Sequence, residues 1–327
     1  MRGSCVLVCL SISLVGCPGT TPPVQDVTLA PPASGFQLAT PTWDVPHGTE
    51  QQRCYFFRVP GSGTAPVWVH RLVAAQNPGS HHLNVFRVKT VVALDGDDGD
   101  VVDGGECWKS GNWADWPLVV NSQESQAGAP PVDWTLPAGV SHKFTPGEKL
   151  MLQTHYVNAS TQSTPGRAKA LVNFHLAEPS ATDPIELGTV FATNQHIRIC
   201  PGDTNKTFTT TCRFAKNAPV TIVAANGHFH SRGVRFTMDA VDVNNSAVGT
   251  DFYVSTQWAD PVWTPDLTVA VPANGGVGYS CSYTLAPNAC ADPADSCCAT
   301  FGGHVETQEH CNAFVYYFPK IADATCF

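Results

Sequence analysis

The chain has 327 residues, of which 43% are hydrophobic and 14% are charged, and its formal net charge is -9. This length allows two domains with separate cores, and the composition lies in the ordinary range for globular proteins. A net negative chain with few charged residues lacks the basic surface that nucleic-acid binding requires, so we expect no nucleic-acid partner. After the N-terminus, no run approaches the roughly 20 apolar residues of a membrane-spanning helix.

The N-terminus has the pattern of an export signal. Arg2 is followed by the apolar run Cys5–Val15 and then by small residues, which predicts a signal peptide over residues 1–16. The string Leu14-Val-Gly-Cys17 resembles a bacterial lipoprotein signal, in which the cysteine becomes the lipidated first residue. Plain secretion with an incidental Cys17 is the alternative. We expect an exported protein that is either secreted or held in the bacterial cell envelope, in the periplasm or at the outer membrane, by a lipid on Cys17.

The rest of the chain predicts a mainly β protein. Residues 17–46 are rich in Pro, Thr and Ala and are expected to form a tether. Beyond them, short runs of β-branched and aromatic residues recur between Gly, Pro, Asn and Asp, as in antiparallel sandwiches. A loop-like stretch at Glu178–Pro184 divides the chain into domains of residues 47–180 and 181–327. The clearest predicted strands are Val67–Val73, Leu83–Val88, Lys149–Val157, Val220–Ala225, Val234–Val243 and Ala313–Phe318.

Apart from Cys5, Cys9 and Cys17, the chain has ten cysteines, and these predict a disulfide framework. An even number in an exported chain indicates five disulfides. Cys54 and Cys107 are the only two of the ten before residue 190, so we expect them to pair with each other. Thiolate metal ligation is the alternative for the Cys290–Cys298 cluster, and an oxidising compartment disfavours it. The other eight, whose pairing stays open, are Cys200, Cys212, Cys281, Cys290, Cys297, Cys298, Cys311 and Cys326.

Histidines that could bind metal occur in four places: His81-His82, His155, His228-x-His230 and His310. Residues two apart on a strand share a face, so His228 and His230 can bind one ion. His81 and His82 point to opposite faces of an ideal strand. Both reach one metal only if the strand twists or ends there, or if the two rings use different nitrogens. For a single pair, surface or core histidines are the commoner alternative.

The strings around these histidines, taken together in chain order, resemble the copper type II, ascorbate-dependent monooxygenases, the family of dopamine beta-monooxygenase and peptidylglycine alpha-hydroxylating monooxygenase. The resemblance covers about residues 50–327. It implies an all-β fold of two antiparallel, jelly-roll-like β-sandwich domains that face each other across a solvent-filled cleft. The four strings are Ser80-His-His-Leu-Asn-Val-Phe86, Leu152-Gln-Thr-His-Tyr-Val-Asn158, Gly227-His-Phe-His-Ser-Arg-Gly233 and Glu309-His-Cys-Asn-Ala-Phe-Val-Tyr-Tyr-Phe-Pro319.

The same resemblance implies two coppers per chain and a role for individual residues. The electron-transfer copper in the first domain would be held by His81, His82 and His155. The oxygen-binding copper in the second domain would be held by His228 and His230, with His310 at the position of the family's third ligand. Gln153 matches a family glutamine near the first copper and would support electron transfer. Cys281 and Cys311 match a family disulfide that fixes the strand carrying the last ligand.

His310 departs from the family pattern, which places a methionine immediately before the cysteine. The chain has three methionines, Met1, Met151 and Met238, and none lies in this segment. Imidazole ligates both copper oxidation states, but a soft thioether favours Cu(I) more strongly. We therefore expect His310 to stabilise Cu(II) relative to the family ligand.

A second departure concerns the substrate. Peptide-amidating members of the family have an arginine at the position of Asn226 and a tyrosine at that of Phe314. Without the arginine, a peptide carboxylate loses its bidentate charged contact. Asn226 and Asn312 are then the candidate polar contacts, and the expected substrate is a small organic molecule rather than a glycine-extended peptide.

The expected function is a copper monooxygenase, a monomer that inserts one atom of O2 into a C–H bond with ascorbate or a similar reductant. The main alternative is a non-catalytic copper-binding or copper-handling lipoprotein on the same scaffold, which the all-histidine ligand set and the missing arginine favour. Three histidines with an open position also suit zinc hydrolysis, but no HExxH string is present. A structural β-sandwich with incidental histidines would bind no stoichiometric metal.

Overall fold

The structure is a computed structural model that describes residues 26–91, 94–104, 107, 116–123, 130–159, 165–180, 182–287 and 297–326. The predicted signal peptide and Cys17 lie outside these residues. Within them the chain is mainly β, as predicted, and it contains no helix that is long and apolar enough to cross a membrane.

Strands β1 to β13 belong to the N-terminal half of the chain. They are β1 (Gly35–Ala39), β2 (Trp43–Val45), β3 (Thr49–Arg58), β4 (Val67–Gln76), β5 (Ser80–Arg87), β6 (Val101–Asp103), β7 (Leu118–Ser122), β8 (Val132–Thr135), β9 (Val140–Phe144), β10 (Lys149–Asn158), β11 (Gly166–Ala168), β12 (Ala170–Leu176) and β13 (Ile185–Glu186).

Strands β14 to β24 belong to the C-terminal half, and all six strands that the sequence predicted most clearly are confirmed as β4, β5, β10, β17, β18 and β23. The C-terminal strands are β14 (Gly188–Thr193), β15 (Arg198–Ile199), β16 (Lys206–Arg213), β17 (Val220–His228), β18 (Gly233–Val241), β19 (Tyr253–Ser255), β20 (Val269–Val271), β21 (Gly276–Tyr283), β22 (Ala299–Thr300), β23 (Asn312–Phe318) and β24 (Ala324–Cys326).

Two larger sheets build each half. In the N-terminal half one sheet has the order β1-β12-β4-β9-β13, with β8 beside β4, and the other has the order β6-β3-β10-β5-β7. In the C-terminal half the orders are β20-β17-β23-β14-β24 and β16-β21-β18-β19. Each pair of sheets contributes side chains to one hydrophobic core. The jelly-roll-like arrangement stays a prediction.

The two sets of sheets are separated in the chain between β13 and β14, and the predicted domain boundary at 180/181 stays a prediction. The short strand β13 still pairs with β9, and β14 is the first strand of the C-terminal sheets. Among the described strands no sheet combines members of both halves. The division into two separately paired units is therefore visible in the strand pairing, with its boundary at Leu187.

The disulfides follow the predicted partition. Cys54–Cys107 and Cys281–Cys311 are both formed, as expected. The structure adds Cys200–Cys298 and Cys212–Cys326, both within the C-terminal half. Cys290 lies outside the described residues, so the fifth disulfide stays a prediction.

The expected tether over residues 17–46 is wrong for its described part. Residues Gly35–Ala39 pair antiparallel with β12, and the Phe36 ring stacks on Phe174 with centroids 4.5 Å apart. The Asp26 carboxylate accepts a hydrogen bond from Arg167 at 2.9 Å. The apolar alternation Phe36-x-Leu38 is short and lies between prolines, so the Pro-rich composition of this segment did not indicate a strand. The segment nevertheless forms the edge strand of the first sheet.

The two halves pack through aromatic side chains. Phe86 lies edge-on to Phe191 with centroids 6.1 Å apart, and Trp134 lies edge-on to Tyr316 at 5.0 Å. The core of the N-terminal half continues without interruption into residues of the C-terminal half. This apolar contact fixes the faces that bring the predicted metal ligands together.

Candidate metal centre

All six predicted histidines lie in one buried cluster between the halves, and each is between 0 and 9% exposed. The ring centroid of His81 lies 4.7 Å from that of His228 and 5.1 Å from that of His230. The solvent-filled cleft that was expected to separate the two copper sites is therefore closed at this point. The apolar packing around Phe86 and Trp134 brings the two sets of histidines into contact.

A β-bulge explains how adjacent histidines reach the same place. Strands β5 and β10 pair with His82 opposite His155 and Ser80 opposite Tyr156, so His81 has no partner of its own. An extra residue of this kind bends the strand and redirects its side chain. The two rings also leave different nitrogens unpaired, Nε2 of His81 and Nδ1 of His82. The structure thus shows a bent strand and different unpaired nitrogens, which are the two alternatives that the sequence allowed, and binding of one metal by both rings stays a prediction.

His228 is the last residue of β17, and His230 follows in the connecting turn. The turn is closed by the N–H of Gly233, which donates to the carbonyl oxygen of His230 at 2.9 Å. A Cβ atom at Gly233 would lie 1.7 Å from the Phe229 ring. Glycine is needed here because the buried Phe229 fills the space beside it, and this packing directs the two flanking histidines away from the core.

His310 is held by β21. The Tyr283 hydroxyl donates to the His310 carbonyl oxygen at 2.5 Å, and the neighbouring Cys311 is bonded to Cys281 of the same strand. The His310 Nδ1 atom lies 3.1 Å from Nε2 of His228. His310 therefore lies beside His228 and His230, and its role as the third ligand of this set stays a prediction.

Each of four histidines has one ring nitrogen held by an oxygen outside the cluster. Nε2 of His82 lies 3.2 Å from Gln153 Oε1, and Nδ1 of His228 lies 2.7 Å from Gln123 Oε1. Nδ1 of His230 lies 2.9 Å from the Gln308 carbonyl oxygen, and Nε2 of His155 lies 2.7 Å from Glu50 Oε1. Metal-binding histidines characteristically donate their other N–H to such oxygens, which fixes the tautomer and the ring orientation.

A line of buried amides connects the two sets of histidines. Asn84 donates to Gln153 Oε1 at 2.9 Å, Asn121 donates to Asn84, and Gln123 donates to Asn121 Oδ1 at 3.3 Å. Gln123 also donates to the Gly227 carbonyl oxygen at 3.0 Å. In order, the line is His82, Gln153, Asn84, Asn121, Gln123 and His228. The predicted position of Gln153 beside the first set is thus part of a longer network.

Burial keeps all six rings neutral. It lowers the pKa of His155 and of His230 to about 3, and it lowers the pKa of the other four well below the ordinary value of 6.5. Neighbouring histidines lower these pKa values further, because a second positive charge nearby is unfavourable. Neutral imidazole is the form that binds metal, so the cluster is deprotonated in advance.

Within the described residues, the histidine nitrogens that lie within 4.8 Å of one another form two triads. The first combines His81 and His82 with His228, and the second combines His228 with His230 and His310. His155 belongs to neither, although its ring lies 4.9 Å from that of His82. The second triad contains the three residues expected for the second copper, whereas the first takes one member from the other half.

Glu309 is a residue that the sequence did not single out. Its buried carboxylate accepts hydrogen bonds from the N–H of His230 and the N–H of Arg232, both at 2.9 Å. Burial raises its pKa to about 7. It ties the turn that carries His230 to the segment that carries His310, and these are two of the three residues of the second triad.

Glu50 and Gln123 were also missed. Both act across the halves, since Glu50 accepts from the Val305 N–H at 3.2 Å as well as holding His155. For Gln123 a weak signal existed, because Asn121 and Gln123 share one face at the end of an otherwise apolar strand. Glu50 lies on the long strand β3 among other polar residues, and nothing in its neighbourhood distinguished it.

The two asparagines expected to contact substrate lie close to the histidines. Asn226 is buried and donates to Asn121 Oδ1 at 2.7 Å. Asn312 is paired with His228 across the sheet, and its side-chain oxygen is buried without a hydrogen-bond partner. Asn226 thus belongs to the amide network, and a substrate role for either residue stays a prediction.

A cavity of about 670 Å³ opens beside the cluster, between the halves. Glu50 lies between this cavity and His155. It lines the cavity, and its carboxylate is hydrogen-bonded to the His155 ring. The remaining lining residues are Gln51, Gln52, Arg53, Asp103, Gly104, Gly303, His304 and Gln308.

The donor set fits copper. Buried ring nitrogens of His81, His82 and His230 have no hydrogen-bond partner, which is costly unless another ligand satisfies them. Imidazole nitrogens in groups of three suit copper, and also zinc. The arrangement therefore defines a candidate histidine metal centre.

Comparison with known families agrees with copper. Residues 181–327 match the model of the copper type II ascorbate-dependent monooxygenase, C-terminal domain. The matched region contains His228, His230 and His310, so it supports the family resemblance drawn from the histidine strings. None of the curated proteins compared with the chain matches it.

The solved structures that are similar to this chain are only distantly similar. The PBSX exported protein XepA is 8% identical, with 89% of each chain covered and a TM-score of 0.21. The infectious bursal disease virus VP2 subviral particle is 9% identical, with 87% of this chain and 72% of that chain covered and a TM-score of 0.22. The CBM22 tandem domain of Paenibacillus barcinonensis Xyn10C is 11% identical, with 84% and 81% covered and a TM-score of 0.19. At these TM-scores the likenesses support no conclusion.

Proposed function

We propose that the protein is a copper-dependent monooxygenase that hydroxylates a C–H bond of a small organic substrate. The observation that carries this proposal is the second triad, His228, His230 and His310, which is assembled within the region that matches the monooxygenase C-terminal domain. One atom of O2 enters the C–H bond and the other leaves as water, with two electrons and two protons supplied by ascorbate or a similar reductant.

Copper would be held by the cluster histidines and would supply the one-electron redox chemistry that this reaction requires. The other residues position these ligands. Gln123 and the Gln308 carbonyl oxygen orient His228 and His230, and Glu309 holds the backbone between them. The apolar contact between the halves excludes water from the cluster, which protects reactive species from side reactions.

Three further assignments extend this proposal. Asn312 has an unpartnered buried oxygen beside the second triad and would orient a polar group of the substrate. Two coppers would be bound per chain, one near each set of histidines. The N-terminal pattern and the four disulfides fit an exported protein, and Cys17 would carry its lipid anchor.

The test is oxygen incorporation. Copper-loaded protein, ascorbate and a panel of benzylic amines and related small molecules are incubated under ¹⁸O2, and products are analysed by mass spectrometry. We expect one ¹⁸O atom in a hydroxylated product. The matched control is His230→Ala, which removes one ligand and should abolish product.

If the protein binds stoichiometric copper that ascorbate reduces, but forms no product from any substrate, the monooxygenase proposal is overturned. That result would favour a copper-binding lipoprotein. Absence of stoichiometric copper would overturn both.

A further inference from the structure

The polar cavity beside the histidine cluster takes no part in the proposed function so far. It has a volume of about 670 Å³ and lies between the halves, and a cavity of this size can hold a small molecule. Its lining residues, as far as the structure describes them, include none of the six cluster histidines. A molecule bound in the cavity is therefore separated from the cluster by the cavity wall.

Two residues of this wall contact the cluster directly, one at each set of histidines. The Glu50 carboxylate lies 2.7 Å from Nε2 of His155, and the Gln308 carbonyl oxygen lies 2.9 Å from Nδ1 of His230. A single residue thus separates the cavity from a histidine of each set. Because electron transfer weakens steeply with distance, an electron donor in this cavity is well placed to serve the cluster without touching it.

Gln52 is the most buried residue of the lining, and it has an unused hydrogen-bond donor. It is 1% exposed, and its side-chain oxygen accepts a hydrogen bond from Gln153 at 2.8 Å. Its Nε2 atom is buried without a hydrogen-bond partner. A buried donor in this state is costly unless a bound molecule satisfies it. An oxygen atom of a ligand in the cavity would accept this hydrogen bond.

The charged groups of the lining favour a ligand that is rich in oxygen. Arg53 is held by Asp103, whose carboxylate lies 3.1 Å from its Nε atom, and by the Trp43 ring, whose centroid lies 4.1 Å from its guanidinium carbon. Its guanidinium group has further N–H donors. The carboxylates of Glu50 and Asp103 can accept hydrogen bonds from hydroxyl groups. Carbonyl and hydroxyl groups on one small molecule match this set, whereas an apolar ligand would leave these polar groups unpaired.

We propose that this cavity binds the hydroxyl-rich reductant, ascorbate or a close analogue, and that the C–H substrate binds at a different place. The assignment rests on the proposed function, which requires a reductant. The C–H substrate must contact the reacting centre, which the cavity does not reach, but a molecule that supplies electrons need not. The two electrons that it supplies are those that the hydroxylation consumes.

The test is ascorbate binding to the metal-free protein, which depends neither on copper nor on product. Isotope-labelled protein is titrated with ascorbate under nitrogen, and backbone amide signals are followed by NMR. We expect saturable shifts of the Gln52, Gly104 and Gly303 signals. Absence of saturable shifts at millimolar ascorbate would overturn the proposal. Displacement of ascorbate by the benzylic amines of the substrate panel would overturn it as well, because the cavity would then be a substrate site.

Two arginines on β3 allow a matched comparison of variants. Arg53→Gln removes a charged donor from the cavity and should weaken ascorbate binding at least about 10-fold. Arg58→Gln removes an arginine that pairs with Asp97 at 3.9 Å outside the cavity, and it should change the affinity less than about 2-fold. Near-UV circular dichroism checks the fold of both variants. If both bind ascorbate as tightly as the parent does, Arg53 does not contact the ligand and the proposal fails.

The copper-loaded protein separates the reductant from the C–H substrate. Arg53→Gln should raise KM for ascorbate about 10-fold and leave KM for the C–H substrate unchanged, because the two molecules bind at different places. The reverse pattern, with KM raised for the C–H substrate alone, would contradict the assignment. Failure of the monooxygenase function would appear separately, as normal ascorbate binding without product.

Discussion

We expect His310 to determine much of the chemistry of the proposed copper centre, because the family pattern has a methionine at this position. Its Nδ1 atom lies 3.1 Å from Nε2 of His228. An imidazole favours Cu(II) more than a thioether does. The centre should therefore be a weaker oxidant, in its copper-loaded form, than one with methionine at this position.

The substitution His310→Met tests this point. We expect tighter Cu(I) binding relative to Cu(II), and faster hydroxylation, because the softer ligand stabilises the reduced ion. Chelator competition measures the first and product formation measures the second. His310→Gln is the matched control, since it removes the imidazole without adding sulfur. Equal Cu(I) affinity in the methionine variant and the parent would contradict the assignment of His310 as a ligand.

Gln123 controls the orientation of His228 from the opposite half of the molecule. Gln123→Leu removes the oxygen that lies 2.7 Å from His228 Nδ1. We expect about a 10- to 100-fold loss of copper affinity, the usual effect of deleting the hydrogen-bond partner of a metal-binding histidine. Gln123→Glu keeps an acceptor oxygen and should restore most of the affinity. The idea fails if both variants bind copper as the parent does.

Strand β7 is the element that joins the halves. It is the last strand of its sheet, and all five of its residues are buried. The Thr189 hydroxyl donates to the Leu118 carbonyl oxygen at 2.7 Å, and the Asn121 N–H donates to the Tyr316 hydroxyl at 3.0 Å. An exposed sheet edge invites unwanted pairing. Here the C-terminal half covers it, and this contact brings Gln123 to His228.

Tyr316→Phe tests the contribution of this contact. It leaves the buried Asn121 N–H without an acceptor, which costs about 1–3 kcal/mol. We expect a loss of that size in the free energy of unfolding, measured with urea. Tyr317→Phe, on the same strand, is the control, because its hydroxyl bonds to the exposed Ala322 and water can replace it. Equal losses in the two variants would argue against a docking role for β7.

The sequence predicted those elements whose signal is local. Strands rich in β-branched and aromatic residues, such as β10 and β17, were found, and the Cys54–Cys107 pair followed from the distribution of cysteines. The Cys281–Cys311 pair and the grouping of the six histidines came from the family resemblance. Glu50 and Gln123 escaped because their burial depends on contacts with residues 255 and 105 positions away. Polar residues in strands ordinarily face solvent. Nothing along the chain shows that the other half covers these two.

At the scale of the whole molecule, the fold encloses a group of neutral histidines in a closed junction. Burial in this junction disfavours the charged form of each histidine. The aromatic contacts at Phe86 and Trp134 pack the two halves against each other. The metal-free protein should therefore be folded near neutral pH, with the histidines prepared for an ion.

Acid should destabilise the metal-free protein. Since burial lowers the pKa of His155 and His230 from 6.5 to about 3, the unfolded chain binds more protons between these values. The stability that these rings contribute is present above pH 6.5 and is lost as the pH falls toward 3. At pH 5, about 1.5 units below 6.5, the loss is about 2 kcal/mol for each ring.

The four other cluster histidines act in the same direction, because burial lowers their pKa as well. Glu309 acts in the opposite direction. Its raised pKa of about 7 means that the folded state gains protons as the pH falls from 7 toward 4.5. The stabilisation that one carboxyl group gains at acid pH is smaller than the combined loss from six histidine rings. Urea unfolding of chelator-treated protein should therefore give a lower free energy at pH 5 than at pH 7, and equal values would show that the histidines are not buried in the neutral form.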